Sequence, residues 1–188
     1  MRREDFEHVI AAAAEVSGER EIVVIGSQAI LGSFPHPPEA MLFSAEADLY
    51  PLRDPSKAEA IDGSLGDGSY FHSTYGYYAH GVGPETAVAP AGWEERLVRV
   101  EIPARVGQAA GAVALCLEAH DVVLSKCAAG RERDWEFARD AIEAGLVEVE
   151  ELFRRISDLP QPPADRGHVR KMLEGLVAQV RQPHGEGN

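Results

Sequence analysis

Apolar positions first recur at helical spacing. Across residues 3–16, Phe6, Val9, Ile10 and the alanines from Ala11 to Ala14 form one stripe, and Ser17-Gly18 closes it, which predicts a helix. The pattern then switches to a short β-branched run at residues 21–25 (EIVVI), a buried strand cut off by Gly26-Ser27. Residues 28–32 read as a small-residue helical segment. Residues 33–38 (SFPHPP) exclude regular structure, because proline fixes its own φ and restricts the residue before it. Residues 46–52 read as a strand ending at Pro51. Residues 55–62 then read as a short helix with Pro in its first turn, and residues 63–69 (GSLGDGS) as a flexible loop. The aromatic stretch 70–82 reads as a strand or hairpin, residues 83–92 as loop, and residues 96–102 and 112–117 as two further strands.

From Ala119 onward only helical periodicity remains. Helices are expected at 121–129, at 133–143 with Trp135, Ala138 and Ile142 on one face, at 147–156 and at 167–181, followed by a frayed PHGEGN tail. There is no internal repeat. Strands mixed with helices, then helices alone, predict an α+β domain over residues 1–118 and a helical region over 119–182 packed against it.

Composition narrows the function classes. The 188 residues carry 45% hydrophobic side chains, enough for a sizeable core, and a net charge of −13. A protein that holds nucleic acid by neutralising phosphates is usually basic, so nonspecific nucleic-acid binding is not expected; RERD at 131–134 is the best place for a local basic patch. Cys116 and Cys127 stand apart in apolar segments and read as buried free thiols. No apolar run approaches the ~20 residues of a membrane span. The start MRREDFEH lacks the apolar core of a signal peptide, so a cytoplasmic location is expected.

The candidate chemistry lies between Gly26 and Asp48. Strand alternation puts Glu46 and Asp48 on one face and Ala45, Ala47 and Leu49 on the other. Two adjacent carboxylates repel, and a divalent cation between them offsets that repulsion. An acid-x-acid strand alone is most often a solvated edge. Gly26-Ser27 changes the reading, because backbone N–H groups and a hydroxyl at a strand-to-helix turn can hold a phosphate. Glu101, at the end of LVRVE, is a candidate for the further carboxylate that two-metal chemistry uses. Lys126 sits among Val122, Val123, Leu124 and Cys127, so it either snorkels to solvent or meets an anion. With Arg131, Arg133 and Asp134 nearby, that segment suits a Mg²⁺-bridged triphosphate, and equally an exposed, salt-bridged helix face. His36, His72, His80, His120 and His168 show no HxH or HxxxH spacing, so no zinc set is expected. Tyr70, Phe71, Tyr75, Tyr77 and Tyr78 are available to floor a base-binding surface, although core or interface is the commoner use of such a cluster.

The motifs IGSQAIL, SAEADLYPL, DGSYFHSTYGYYAHGVGPETAVAPAGWEERLV and HDVVLSKCAAGRERDWEFARDAIEAGLV together resemble the DUF6036 nucleotidyltransferase-like proteins over residues 20–156. Those proteins are similar to the polymerase-β-type superfamily, which includes the AbiEii-type toxins. The resemblance implies a small mixed β-sheet flanked by helices, with a C-terminal helical region. It implies Mg²⁺-dependent transfer of a nucleoside monophosphate from an NTP to an acceptor hydroxyl on RNA, protein or a small molecule. By motif match, Gly26 and Ser27 would be the phosphate-binding pair, Glu46 and Asp48 the catalytic metal pair, and Lys126, with Asp134 close by, the triphosphate-side residues. Glu46 stands where the superfamily has Asp, and the gap from Ser27 is longer than usual. A non-catalytic interaction protein of the same fold, working with a partner in a toxin–antitoxin-like pair or as a homo-oligomer, is the alternative.

Overall fold

The computed structural model describes residues 1–104, 111–162 and 164–181. Helix α1 (Arg3–Ser17) buries Phe6, Val9, Ile10 and Ala13 and ends at Gly18. Strand β1 (Glu21–Ile25) follows and runs into a 3-10 turn (Ser27–Ala29) and the single-turn helix α2 (Ile30–Ser33). The Pro-rich segment is irregular and leads to β2 (Glu46–Pro51). Helix α3 (Ala58–Leu65), α4 (Tyr70–Tyr75) and β3 (Tyr78–Gly81) come next, then β4 (Val98–Ile102) and β5 (Ala112–Cys116). The remainder is helical: α5 (Ala119–Ala129), α6 (Glu132–Glu143), α7 (Val149–Arg155) and α8 (Arg166–Arg181). The expected frayed tail lies outside the described residues.

The strands form one open, mixed sheet in the order β3-β2-β1-β5-β4. β1 is antiparallel to β2 and parallel to β5, β2 is parallel to β3, and β4 is antiparallel to β5. This is an α+β fold with flanking helices, in agreement with a polymerase-β-like arrangement. Central β1 is fully buried from Ile22 to Val24, as a β-branched run with neighbours on both sides should be. One contiguous hydrophobic cluster takes in α1, the sheet and the helices after Glu118, from Phe6 and Ile22 to Leu124, Leu152 and Leu173.

The aromatic stretch differs from the strand or hairpin expected over 70–82. Its first half is α4, because Ser69 caps it, its hydroxyl accepting from the His72 N–H at 3.0 Å. Gly76 then ends the helix in the left-handed region (φ +77°) and releases the chain into the short β3. Aromatic β-propensity loses here to two local backbone signals. The expected loop at 63–69 is likewise shortened, since α3 runs through Leu65.

Candidate active site

The site is built at one end of β1 and β2. The antiparallel register pairs Ile25 with Asp48, so the chain reverses at Gly26 directly beside the second acid. Gly26 has φ +68° and ψ −165°, and a Cβ built on it would lie 2.2 Å from Asp48 Oδ2. Only glycine permits that approach. Alternation along β2 buries Ala47 and Leu49 completely and leaves Glu46 and Asp48 half-buried on the opposite face.

Parallel pairing of β2 with β3 sets Tyr78 opposite Glu46 and His80 opposite Asp48. Tyr78 donates its hydroxyl to Glu46 Oε2 at 2.9 Å. His80 Nδ1 lies 3.0 Å from Glu46 Oε1 and 2.9 Å from Asp48 Oδ1, bridging the two carboxylates. Burial, reinforced by the neighbouring Glu46 carboxylate and opposed by His80, pushes Asp48 up to about 6. Burial also acts to raise Glu46, but hydrogen bonds from Asp48, Tyr78 and His80 outweigh it and hold Glu46 below its ordinary range. Burial acts to lower His80, and its bonds to the two acids reverse that and raise it. The pair thus titrates as a unit in which Glu46 keeps its charge and Asp48 gives it up first.

This cluster forms one wall of a cavity of about 900 Å³. Gly26, Ser27, Phe43 and Ser44 line it from the sheet side, and Lys126, Arg131, Arg133, Phe137 and Arg139 from α5 and α6. Lys126 therefore shares the cavity with the acids across the cleft, its amine 3.5 Å from Asp134 Oδ1. Asp134 is buried, and its other oxygen accepts the Arg131 backbone N–H at 3.3 Å, capping the start of α6. Asp134 thus holds the helix start and the lysine rather than presenting a free acid to the cavity.

Three candidate roles fall elsewhere. Glu101 is not near the acid pair. The registers Glu21↔Val113 and Glu101↔Val113 set it at the far end of the sheet, three strands away, about 20 Å by strand spacing and rise. There its carboxylate meets Arg99 at 3.0 Å and Arg20 at 3.4 Å in an exposed ion-pair group. Of the two uses open to the aromatic cluster, the cavity floor is not the one found for Phe71, Tyr75 and Tyr77, and the commoner one, packing, is. Phe71, Tyr75 and Tyr77 pack with His8 of α1, and the aromatic side chains on the cavity wall are Phe43 and Phe137. Finally, the turn after Gly26 leads only into a 3-10 turn and a four-residue helix, so a helix macrodipole adds little there.

The residue that sequence spacing missed is His80. No HxH pattern marks it; it reaches the acids only through the β2–β3 register. One donor atom each from Glu46, Asp48 and His80 lies within 4.8 Å of the others. Two carboxylate oxygens and an imidazole nitrogen are donors that suit a divalent cation, with the open cavity beside them for further oxygen ligands.

Among the described residues, no helix is long and apolar enough to cross a membrane. No curated protein and no solved structure matches the chain. Residues 4–172 match a family model described as a nucleotidyltransferase of unknown function (DUF6036). That match runs from α1 into α8 and takes in both walls of the cavity, so the chain belongs to the DUF6036 nucleotidyltransferase family.

Proposed function

We propose that the protein transfers a nucleoside monophosphate from an NTP to an acceptor hydroxyl, with a divalent cation of the Mg²⁺ type held by Glu46 and Asp48. The observation that carries this reading is one cavity with opposed chemistry. A same-face acid pair beside a glycine turn stands on one wall, and Lys126, Arg131, Arg133 and Arg139 stand on the other, interleaved with Asp134, Glu136 and Asp140. Lys126 and Arg131 are thus paired with Asp134, and Arg139 with Asp140, until a triphosphate draws them off. A triphosphate laid between them meets the cations with its β- and γ-phosphates and brings its α-phosphorus to the acids.

The chain's own groups then have distinct tasks. Lys126 and the arginines bind the terminal phosphates and stabilise the charge that develops on the leaving pyrophosphate. Gly26 lets the turn approach Asp48 without a side chain, and the Ser27 hydroxyl is available to a phosphate oxygen. Tyr78 fixes Glu46 through Oε2 and leaves Oε1 beside His80 Nδ1. The cation, when bound, neutralises triphosphate oxygens and polarises the acceptor hydroxyl. The acceptor oxygen forms a bond to the α-phosphorus, the bond to the bridging oxygen of pyrophosphate breaks, and the acceptor proton leaves to water. Phe43 and Phe137 offer aromatic faces to a base. A net charge of −13 disfavours a long nucleic-acid acceptor, which leaves an RNA 3′ end, a protein side chain or a small hydroxyl compound.

The test pairs binding with turnover. Thermal melts with each of ATP, GTP, CTP and UTP, with and without Mg²⁺ or Mn²⁺, should show stabilisation by at least one nucleotide; saturation at 100-fold over Kd gives about 2.7 kcal/mol. Incubation with α-³²P-labelled NTPs, using the protein itself, total RNA and small hydroxyl compounds as acceptors, should yield label transfer that Asp48→Asn abolishes. Binding without transfer favours the non-catalytic interaction protein. No stabilisation by any NTP overturns the nucleotide site.

A further inference from the structure

We propose that His80 is the third protein ligand of the cation site and that its nitrogen makes the site prefer Mn²⁺ over Mg²⁺. The inference rests on the reading of Glu46 and Asp48 as a cation site and adds to it the identity of a ligand and of the metal.

The geometry leads to this directly. Two donors on adjacent vertices of an octahedron with bonds of about 2.1 Å lie about 3.0 Å apart. His80 Nδ1 stands 3.0 Å from Glu46 Oε1 and 2.9 Å from Asp48 Oδ1, close to that edge length on both sides. The arrangement is imposed by backbone pairing and not by a chance rotamer. Asp48↔His80 and Glu46↔Tyr78 are register partners in the parallel β2–β3 ladder. The acids are also oriented from behind. Tyr78 engages Glu46 Oε2, and Gly26 closes on Asp48 Oδ2, so Oε1 and Oδ1 are the oxygens turned toward the imidazole. Three donors on one side leave the cavity side for phosphate oxygens or water.

The donor set then selects the metal. Mg²⁺ is hard, takes oxygen ligands and keeps its waters, so an imidazole adds little to its binding. Mn²⁺ takes carboxylate oxygen as readily and, as a first-row transition ion, also accepts an imidazole nitrogen, although it is the weakest binder of that row. The site would bind Zn²⁺ or Cu²⁺ tightly too, as any such donor set does. An oxygen-rich site with one nitrogen and open positions still suits octahedral Mn²⁺ well enough for phosphate oxygens to complete the shell. An all-carboxylate site gives no reason for a preference over Mg²⁺; one histidine does.

The test needs no nucleotide and no turnover. Mn²⁺ is titrated into the metal-free full chain, with free Mn²⁺ followed by its EPR signal, and Mg²⁺ is used as competitor. The proteins are wild type, His80→Ala and Asp48→Asn, each checked by a thermal melt in chelator; His80 is on an exposed edge strand, so His80→Ala should stay folded. Wild type should bind Mn²⁺ at least about ten-fold more tightly than Mg²⁺. His80→Ala should lose at least about ten- to a hundred-fold in Mn²⁺ affinity, the loss typical of removing a mere support behind a ligand, with a smaller change for Mg²⁺. Pulsed EPR of the Mn²⁺-loaded wild type should show nitrogen coupling that His80→Ala abolishes. Unchanged Mn²⁺ affinity in His80→Ala, or no nitrogen coupling in wild type, overturns the ligand role. If Asp48→Asn abolishes binding while His80→Ala does not, the cation site stands and only this inference fails. If Asp48→Asn also leaves Mn²⁺ binding unchanged, the cation-site reading falls with it.

Discussion

A Cβ on Gly26 would lie 2.2 Å from Asp48 Oδ2, so the turn that closes β1 and the acid that ends the pair occupy positions that depend on each other. Gly26→Ala must relieve that overlap and also hold a non-glycine residue at φ +68°. With ψ −165° this backbone lies outside the left-handed helical region, where essentially only glycine sits, and holding alanine there costs roughly 1–3 kcal/mol, to which displacing a half-buried carboxylate adds. We expect Gly26→Ala to lower unfolding free energy by about 2–3 kcal/mol in urea melts and to remove the stabilisation by divalent cation. A variant within about 0.5 kcal/mol of wild type that keeps its cation response would show that the close approach has no consequence.

Asp48→Asn separates charge from shape. In chelator, Asp48 pushed up to about 6 opposes folding once ionised, so its contribution is favourable below its ordinary value of 3.8 and is lost as pH rises through about 6. His80, raised above 6.5, contributes in the same sense and loses its contribution at higher pH still. Asp48→Asn should therefore match or fall below wild type near pH 4 and gain on it as pH rises toward 7.5. Divalent cation should reverse the order at pH 7.5 by stabilising only the wild type. Melting temperatures across that range, with chelator and with cation, check both arms; an unvarying difference would sink the account.

The fold was largely legible in the chain because its signals are local. The helix stripe from Phe6 to Ala14, the β-branched Ile22–Ile25 run and the Pro-rich break before Glu46 each specify structure without reference to distant residues. So does the acid-x-acid alternation, which fixes which face of β2 carries Glu46 and Asp48. What was not legible depends on register. His80 joins the acids, and Glu101 does not, through strand pairings between segments far apart in sequence. A single sequence carries no direct record of which strand lies beside which. The aromatic segment failed for a different reason: Ser69 and Gly76 are ordinary helix punctuation, and the density of tyrosines between them outweighed it.

Lys126 bears on the opposite wall of the cavity. Its amine is paired with buried Asp134 and lines the same space as Glu46. Lys126→Ala should weaken NTP binding by at least about ten-fold, as expected for loss of a phosphate-binding charge in a partly enclosed site. It should also destabilise the protein by about 1–3 kcal/mol, because the buried Asp134 then keeps only its bond to the start of α6 and a long, exposed ion pair with Arg131 at 4.0 Å. The control is Phe43→Ala. Phe43 is 88% exposed on the cavity wall, so its removal should leave stability within about 0.5 kcal/mol and lower nucleotide affinity alone. Equal NTP affinities for wild type and Lys126→Ala by calorimetry would remove the lysine from the site.

The last prediction concerns what holds the helical wall in place. Asp121, fully buried in the first turn of α5, accepts from Arg96 Nε at 2.7 Å and from Arg155 Nη1 at 2.9 Å, which ties the segment before β4 to the end of α7. Arg155 also donates to Glu118 Oε2 at 2.6 Å, and Glu118 in turn accepts the His120 backbone N–H at 3.1 Å. Burial acts to raise Glu118, but its bonds with His120 and Arg155 outweigh it and hold the carboxyl below its ordinary range. A depressed carboxylate contributes stability that is present above about 4.5 and is lost as pH falls below it. Glu118→Gln should therefore be less stable than wild type at pH 7 by about 1 kcal/mol, the value of a charge-assisted hydrogen bond discounted for partial exposure. The two proteins should converge as pH falls toward 3. Arg155→Met should cost more, about 3–5 kcal/mol, because it leaves Asp121 charged and buried with Arg96 alone. Urea melts from pH 3 to 7 measure both, and a Glu118→Gln difference that stays constant across that window would show that Glu118 acts by packing and not by its charge.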